Sequence, residues 1–227
     1  GVQNKTCDYC WNYEASGAYS KRQKNNDEKH QMYPDYDTFI NDALANDGAL
    51  STPPTDLDLK VGTQCNLKCI MCYPGSSSLS QDEVEEMKAK GEDIPALMKA
   101  WDKRVIELKL DMNEFNPRNL DVEKLVGNLE PSLSQAVHMS LVGGEPLTNK
   151  TTTRILEQCV EKGYAQSMML QIITNLSVIN PKTLNLLDNF RHPMVCISFD
   201  HVDPAKFNFI RFPADYKTCL LYTSDAA

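Results

Sequence analysis

The amino-acid sequence predicts an α/β protein built on a parallel sheet, and two patterns lead to that class. Short apolar runs alternate with helical stretches through the second half of the chain. AVHMSLV at 136–142, SMMLQIIT at 167–174 and MVCISFD at 194–200 read as strands, with helices over 150–162 and 181–190 between them. Strands separated by helices of this length form right-handed βαβ units and so a parallel sheet. An earlier strand is DLDLKV at 56–61, in which Leu57, Leu59 and Val61 alternate with Asp58, Lys60 and Gly62.

Residues 1–50 precede this pattern and read as a polar, irregular appendage. A short helix is expected near 35–46, carrying Phe39, Ile40 and Leu44 and ending at Asp47-Gly48; the basic run at 21–24 reads as a solvated face. The core is expected over 51–218. Ser80 with Glu83 forms a capping-box pattern, so a helix should start there. Leu97, Trp101, Val105 and Leu108 are spaced as a second helix that packs on the sheet. A further helix is expected over 121–130.

An apolar fraction of 41% with 24% charged residues is enough to bury a core in a chain of 227 residues. The formal charge of −8 gives no electrostatic reason to expect nucleic acid or an anionic membrane as partner. No apolar run approaches the roughly 20 residues of a membrane-spanning helix, and no signal peptide is visible, so a cytoplasmic location is expected. The chain starts at Gly1, which suggests a fragment. CLLYTSDAA at 219–227 resembles a translated sequencing adapter, with an ordinary helix-to-tail ending as the alternative.

Chemistry concentrates in TQCNLKCIMCYPGSSS at 63–78. Cys65, Cys69 and Cys72 lie just past the first strand, where parallel α/β folds gather their reactive groups. A structural zinc site takes four ligands, and no fourth Cys or His lies nearby in the sequence. Three thiolates on a four-iron cluster leave one iron open to a small molecule. Gly143, Gly144, Glu145 and Pro146 follow the second strand at the same end of the sheet. Two glycines let backbone approach a ligand closely, and the Glu145 carboxylate is able to accept a hydrogen bond from an ammonium group.

Cys-x3-Cys-x2-Cys after the first strand and GGEP after the second resemble the signature of the radical S-adenosylmethionine (radical SAM) superfamily, over about residues 56–213. CDYCWNYEASGAYSKR at 7–22 and FNFIRFPADY at 207–216 resemble the twitch or SPASM-type group, whose members carry an auxiliary cluster. The resemblance implies a partial (βα)6 TIM-like barrel of which about four βα units are present. It implies that Cys65, Cys69 and Cys72 hold a [4Fe-4S] cluster, that SAM chelates its open iron, and that GGEP lines the amino group of SAM. One-electron cleavage of the sulfonium would release a 5′-deoxyadenosyl radical that abstracts hydrogen from a peptide or small-molecule substrate. An electron donor such as flavodoxin or ferredoxin is implied as partner.

Further positions follow from strand parity and from the resemblance. Cys196, Ser198 and Asp200 share one face of the fourth strand, and Ser198 and Asp200 are candidates for the ribose and carboxylate of SAM; Asp200 as a turn cap is the alternative. Asn175 follows Thr174 as in the family, although Leu176 stands where glycine is frequent. Met71 occupies a position often aromatic in the family, and either it or Tyr73 is expected against adenine. Cys7 and Cys10 are candidate ligands of an auxiliary iron-sulfur cluster, with a zinc pair or inert thiols as the alternative. Cys159 reads as a buried core thiol. His30, His138, His192 and His201 show no mutual ligand spacing, and Asp111 with Glu114 is too little for an acid/base pair. The competing function is a non-catalytic zinc or iron-sulfur module for binding or electron transfer.

Overall fold

The computed structural model describes residues 7–33, 35–107 and 120–224, in two units, Gly1–Pro53 and Pro54–Ala227. The second unit is built on four strands, β1 (Asp56–Lys60), β2 (His138–Val142), β3 (Met169–Thr174) and β4 (His192–Ile197). All neighbours pair in parallel in the order β1-β2-β3-β4. β1, β2 and β3 lie within the runs read from the sequence, because β-branched and long apolar side chains suit a pleated, half-buried surface; β4 is shifted from 194–200, since its pairing with β3 starts at His192 and ends at Ile197.

The pleat separates two faces. Leu57, Met139, Leu141, Leu170 and Ile172 point to one side and are buried against helices. Those helices are α6 (Val122–Leu133), α7 (Lys150–Glu161) and α8 (Pro181–Leu187), which add Val126, Leu133, Ile155, Leu156 and Leu187 to the same core. Burying each such side chain contributes about 1.5–3 kcal/mol. Cys159 is fully buried here, and that burial pushes its thiol up to about 12. Across the pleat the register aligns Lys60, Val142, Ile173 and Cys196 in a row on the second face. This face is half-buried to exposed and is left for the site.

Among the described residues two helices follow β1 before α6: α4 (Ser78–Lys90) and α5 (Ala96–Glu107). The capping pattern assigned to Ser80 and Glu83 is corrected. Ser77 is the N-cap, accepting from the Ser80 backbone N–H at 3.3 Å, while Glu83 Oε1 accepts from Lys68 Nζ at 2.5 Å. A Ser on either side of the junction fits the pattern, and the extended backbone at Ser77 decides which one caps. Helix α5 contains Trp101 and Val105; Leu108, Asp111 and Glu114 lie outside the described residues. After β4 come α9 (Pro204–Ile210) and α10 (Tyr216–Ser224), the latter running into the segment read as adapter-like; Cys219 is buried with Leu67, Cys69, Phe207 and Ala214.

Among its described residues the first unit has three helices where the sequence suggested one: α1 (Asp8–Ala15), α2 (Lys21–Met32) and α3 (Tyr36–Ala45). Helix α2 lacks an apolar stripe and is instead started by a capping box between Ser20 and Gln23. Glu14 joins α1 to α2 by accepting from Ser20 Oγ at 2.6 Å and from Arg22, whose guanidinium lies 4.4 Å from the Trp11 ring centroid. Among the described residues no helix is long and apolar enough to cross a membrane.

Candidate active site

The carboxyl ends of all four strands open onto one cavity of about 340 Å³. Lys60 lines it from β1, Val142 to Gly144 from β2, Ile173 to Asn175 from β3, and Ser198 from just past β4. The loop after β1 brings Cys65, Cys69, Met71, Cys72 and Ser76 to the same space.

That loop is fastened at both ends. Ser77 Oγ donates to the Leu67 carbonyl at 2.6 Å, the Ser78 N–H donates to Thr63 O at 2.7 Å, and the Cys65 N–H donates to Ser78 Oγ at 3.2 Å. Near α9, the N–H groups of Lys68 and Ile70 donate to Phe212 O and Ile210 O at 2.7 and 2.9 Å. Leu67 is buried between these anchors. Burial pushes the Cys65 thiol up; the Cys69 and Cys72 thiols share a hydrogen bond that pushes Cys69 up and holds Cys72 down.

Gly143 and Gly144 both have positive φ, +96° and +54°. A Cβ on Gly144 would fall 2.0 Å from the Gln64 carbonyl oxygen, and one on Gly143 would fall 2.6 Å from Lys60 Cγ and 2.7 Å from the Gly62 carbonyl oxygen. These glycines therefore let the end of β2 abut the backbone that leads into the cysteines, and the Glu145 N–H donates to Gln64 O at 2.7 Å. The close approach is to protein, while the same residues face the cavity.

The Glu145 side chain is bonded within the fold. Its carboxylate is buried and accepts from the Leu147 N–H (3.0 Å), Thr174 Oγ1 (2.6 Å) and the Asn175 N–H (2.7 Å). Oε1 accepts twice and Oε2 once, and the group ties β2 to β3 without lining the cavity. Burial pushes its carboxyl above the usual range, against the pull of those three donors. Pro146 is likewise buried, in a short 3-10 turn.

Arg211 enters from the end of α9 and lines the cavity. Nη1 stands 4.0 Å from Cys69 Sγ, and Nε lies 2.5 Å from Asp200 Oδ2, an ion-pair contact without hydrogen-bond alignment. A cation beside these thiols favours a negative group there. Among the described residues no three His, Cys, Asp or Glu side chains are placed to hold one metal ion. One zinc ion would need its ligands gathered to about 2.3 Å of a single point. The three thiols line one cavity, with donors at Leu67 N–H (3.4 Å from Cys65 Sγ) and Arg211 suited to an anionic group such as an iron-sulfur cluster.

The sequence model of the Radical SAM superfamily matches residues 59–219. The chain belongs to the radical SAM superfamily. Among solved structures it is similar to Streptococcus suis SuiB bound to precursor peptide SuiA, at 15% identity and a TM-score of 0.51, over 86% of this chain and 35% of that one. It is similar to S. suis SuiB alone at 14% identity and a TM-score of 0.50, over 87% and 36%. At these identities the likeness is one of fold, a partial TIM-like barrel, and the chain spans about a third of the SuiB chain's length. No curated protein is similar enough in sequence to count as a relative.

Within this radical SAM chain the structure brings Cys65, Cys69, Cys72, Met71, Gly143, Gly144, Asn175 and Ser198 to one cavity. It leaves Pro146, Tyr73 and Asp200 off the lining. Tyr73 stacks on Trp101 at 4.7 Å, and Asp200 holds Arg211 in place of capping the next turn, where Asp203 caps α9. Asn175 Nδ2 donates to Asn66 Oδ1 at 3.1 Å, tying β3 to the cysteine loop. Cys7 is exposed and Cys10 half-buried, one helical turn apart at the start of α1. The sequence reading missed Lys60 and Arg211 as lining residues. Parity marks Lys60 as a charge on the inner face of β1; no local pattern marks Arg211, which reaches the site through tertiary folding.

Proposed function

We propose that the chain binds S-adenosylmethionine in this cavity beside a [4Fe-4S] cluster held by Cys65, Cys69 and Cys72. The observation that supports this most directly is the convergence of three thiols and the Gly143-Gly144 turn on one space at the carboxyl ends of the strands. When bound, such a cluster supplies the electron that cleaves the sulfonium of SAM to give a 5′-deoxyadenosyl radical. The protein's part is position and exclusion of water. The Gly143 and Gly144 backbone offers polar groups without side-chain bulk, Ser198 a hydroxyl and Arg211 a cation for the carboxylate of SAM. Met71 offers an apolar surface for the adenine. Glu145 acts one step back, holding the ends of β2 and β3 in register.

The substrate is read as a peptide or a small molecule, and the electron donor as a flavodoxin or ferredoxin. SuiB, similar in fold, is a protein whose structure holds its precursor peptide SuiA. Cys7 and Cys10 are read as two ligands of an auxiliary cluster, whose remaining ligands are not among the described residues. The alternative is a non-catalytic zinc or iron-sulfur module for binding or electron transfer, which has no need of a pocket for SAM.

The test is anaerobic reconstitution with iron and sulfide, then dithionite, SAM and chromatography for 5′-deoxyadenosine. Product that disappears in Cys69→Ala supports the reading. Tight zinc binding with no cluster formed would overturn it.

A further inference from the structure

The cavity contains a cation whose charge no neighbouring carboxylate answers. Lys60 ends β1 and lines the cavity, and its ammonium donates to Ser76 Oγ at 3.3 Å and stands 5.5 Å from the Tyr73 ring centroid. In the same unit Lys68 pairs with Glu83, Lys88 with Asp102 and Arg211 with Asp200. Asp58 shares the face of Lys60 but lies roughly 7 Å back along the strand, and it does not line the cavity. No acidic residue is among those that line it. In a chain of net charge −8, this is a local reversal of sign.

The lysine is also held in place. Gly143 leaves the room that the Lys60 stem fills, since a Cβ there would meet Lys60 Cγ at 2.6 Å. Ser76 and the Tyr73 ring hold the head, and Tyr73 itself rests on Trp101. β1 and β4 are the opposite edges of the four-stranded sheet. Three strand spacings therefore put Lys60 roughly 14 Å along the sheet from the strand that leads to Ser198. Arg211 stands on that far side with Asp200 and Cys69. One carboxylate does not serve both cations, so if the Arg211 side takes that of SAM, Lys60 remains for a different anion.

We infer that Lys60 sets substrate specificity by taking a carboxylate of the molecule acted upon, so the substrate is a carboxylic acid or an acidic residue of a peptide. This rests on the proposed reading of the cavity as the active site. It excludes no particular chemistry at the reacting carbon; it fixes the charge of the group that lies against β1.

The experiment uses the full chain with its lysines reductively 13C-dimethylated, which keeps their charge, and assigns the Lys60 resonance by its loss in Lys60→Arg. Glutarate, N-acetylglutamate amide, the neutral isostere glutaramide, and SAM are titrated separately. The two acids are expected to move the Lys60 resonance and glutaramide to leave it in place; a tighter response to N-acetylglutamate amide than to glutarate points to a peptide source. Lys60→Met is expected to weaken acid binding roughly tenfold, as loss of a charge-assisted hydrogen bond does, and Lys60→Arg to retain it. Equal response to glutaramide, or unchanged acid binding in Lys60→Met, would overturn the inference. So would a matching loss of SAM affinity in Lys60→Met, which would assign the lysine to the cofactor. Should Lys60→Met fail to fold, the titration of the unmutated chain still decides. If SAM does not bind the unmutated chain after anaerobic reconstitution with iron and sulfide, the proposed function falls, while the acid titration separately reports on Lys60.

Discussion

Leu176 has a φ of +49° and is 4% exposed, so a conformation that favours glycine is held by a buried leucine. The backbone strain costs roughly 1–2 kcal/mol, and removing a buried leucine side chain costs about 2–5 kcal/mol. Leu176→Gly is therefore expected to lower stability by about 2 kcal/mol net in denaturant unfolding; a gain in stability would show that strain outweighs packing at this turn. Glu145 gives a pH prediction. Burial raises its carboxyl above the ordinary value of 4.5, so the folded state binds the proton more tightly than the unfolded state does. The stability it contributes then falls as pH rises from 4.5 through the raised value, and is level above it. In Glu145→Gln nothing titrates at this position, so the stability difference between the two proteins should move in the variant's favour across that window; a constant difference would contradict the raised value. The GGEP pattern was legible in the sequence, but the role of the Glu145 side chain was not. Its partners Thr174 Oγ1 and the Asn175 N–H come from the end of another strand, and no sequence pattern states that the carboxylate reaches them.

Between elements, the decisive contact is that of α5 with the end of the cysteine loop. A Cβ on Gly75 would fall 2.5 Å from the Trp101 ring and 2.8 Å from Tyr73, and Lys88 on α4 pairs with Asp102 on α5 at 2.6 Å. Gly75→Ala is expected to destabilise the chain by about 1–3 kcal/mol through overpacking. Combining it with Trp101→Ala should recover part of that loss, giving a coupling of at least about 1 kcal/mol in a double-mutant cycle; strict additivity would show that the loop yields by another route. The strands were readable because period-2 alternation and βαβ spacing are local signals. Helices α1 and α2 were not, since KRQKNNDEKHQM has no apolar stripe and is organised by the Ser20–Gln23 box and the Glu14, Arg22 and Trp11 contacts. The misplaced start of α4 has the same origin: three serines at 76–78 and one at 80 all suit a cap, and only the backbone at Ser77 selects one.

At the scale of the whole molecule, the cysteines are divided between units, with Cys7 and Cys10 in the first and Cys65, Cys69 and Cys72 in the second. The spacing after the first strand already set the second group ahead of the first in the sequence, but what surrounds each group depends on what folding brings together. The second group borders a cavity whose lining also offers backbone, hydroxyl and cationic groups for a ligand. Iron bound there stabilises the folded second unit by mass action, since the unfolded chain does not hold its three thiols around one space. Replacing Cys65, Cys69 and Cys72 together by alanine is therefore expected to remove about four irons per chain, abolish the spectral change caused by SAM, and erase the rise in unfolding temperature on iron loading. Replacing Cys7 and Cys10 should leave that spectral change and that rise in place, whatever iron it removes. Iron analysis, absorption spectroscopy with SAM and thermal unfolding of the two variants check this. If the Cys7 and Cys10 variant instead loses the response to SAM, the ligand-binding cluster belongs to the first unit and the cavity assignment fails.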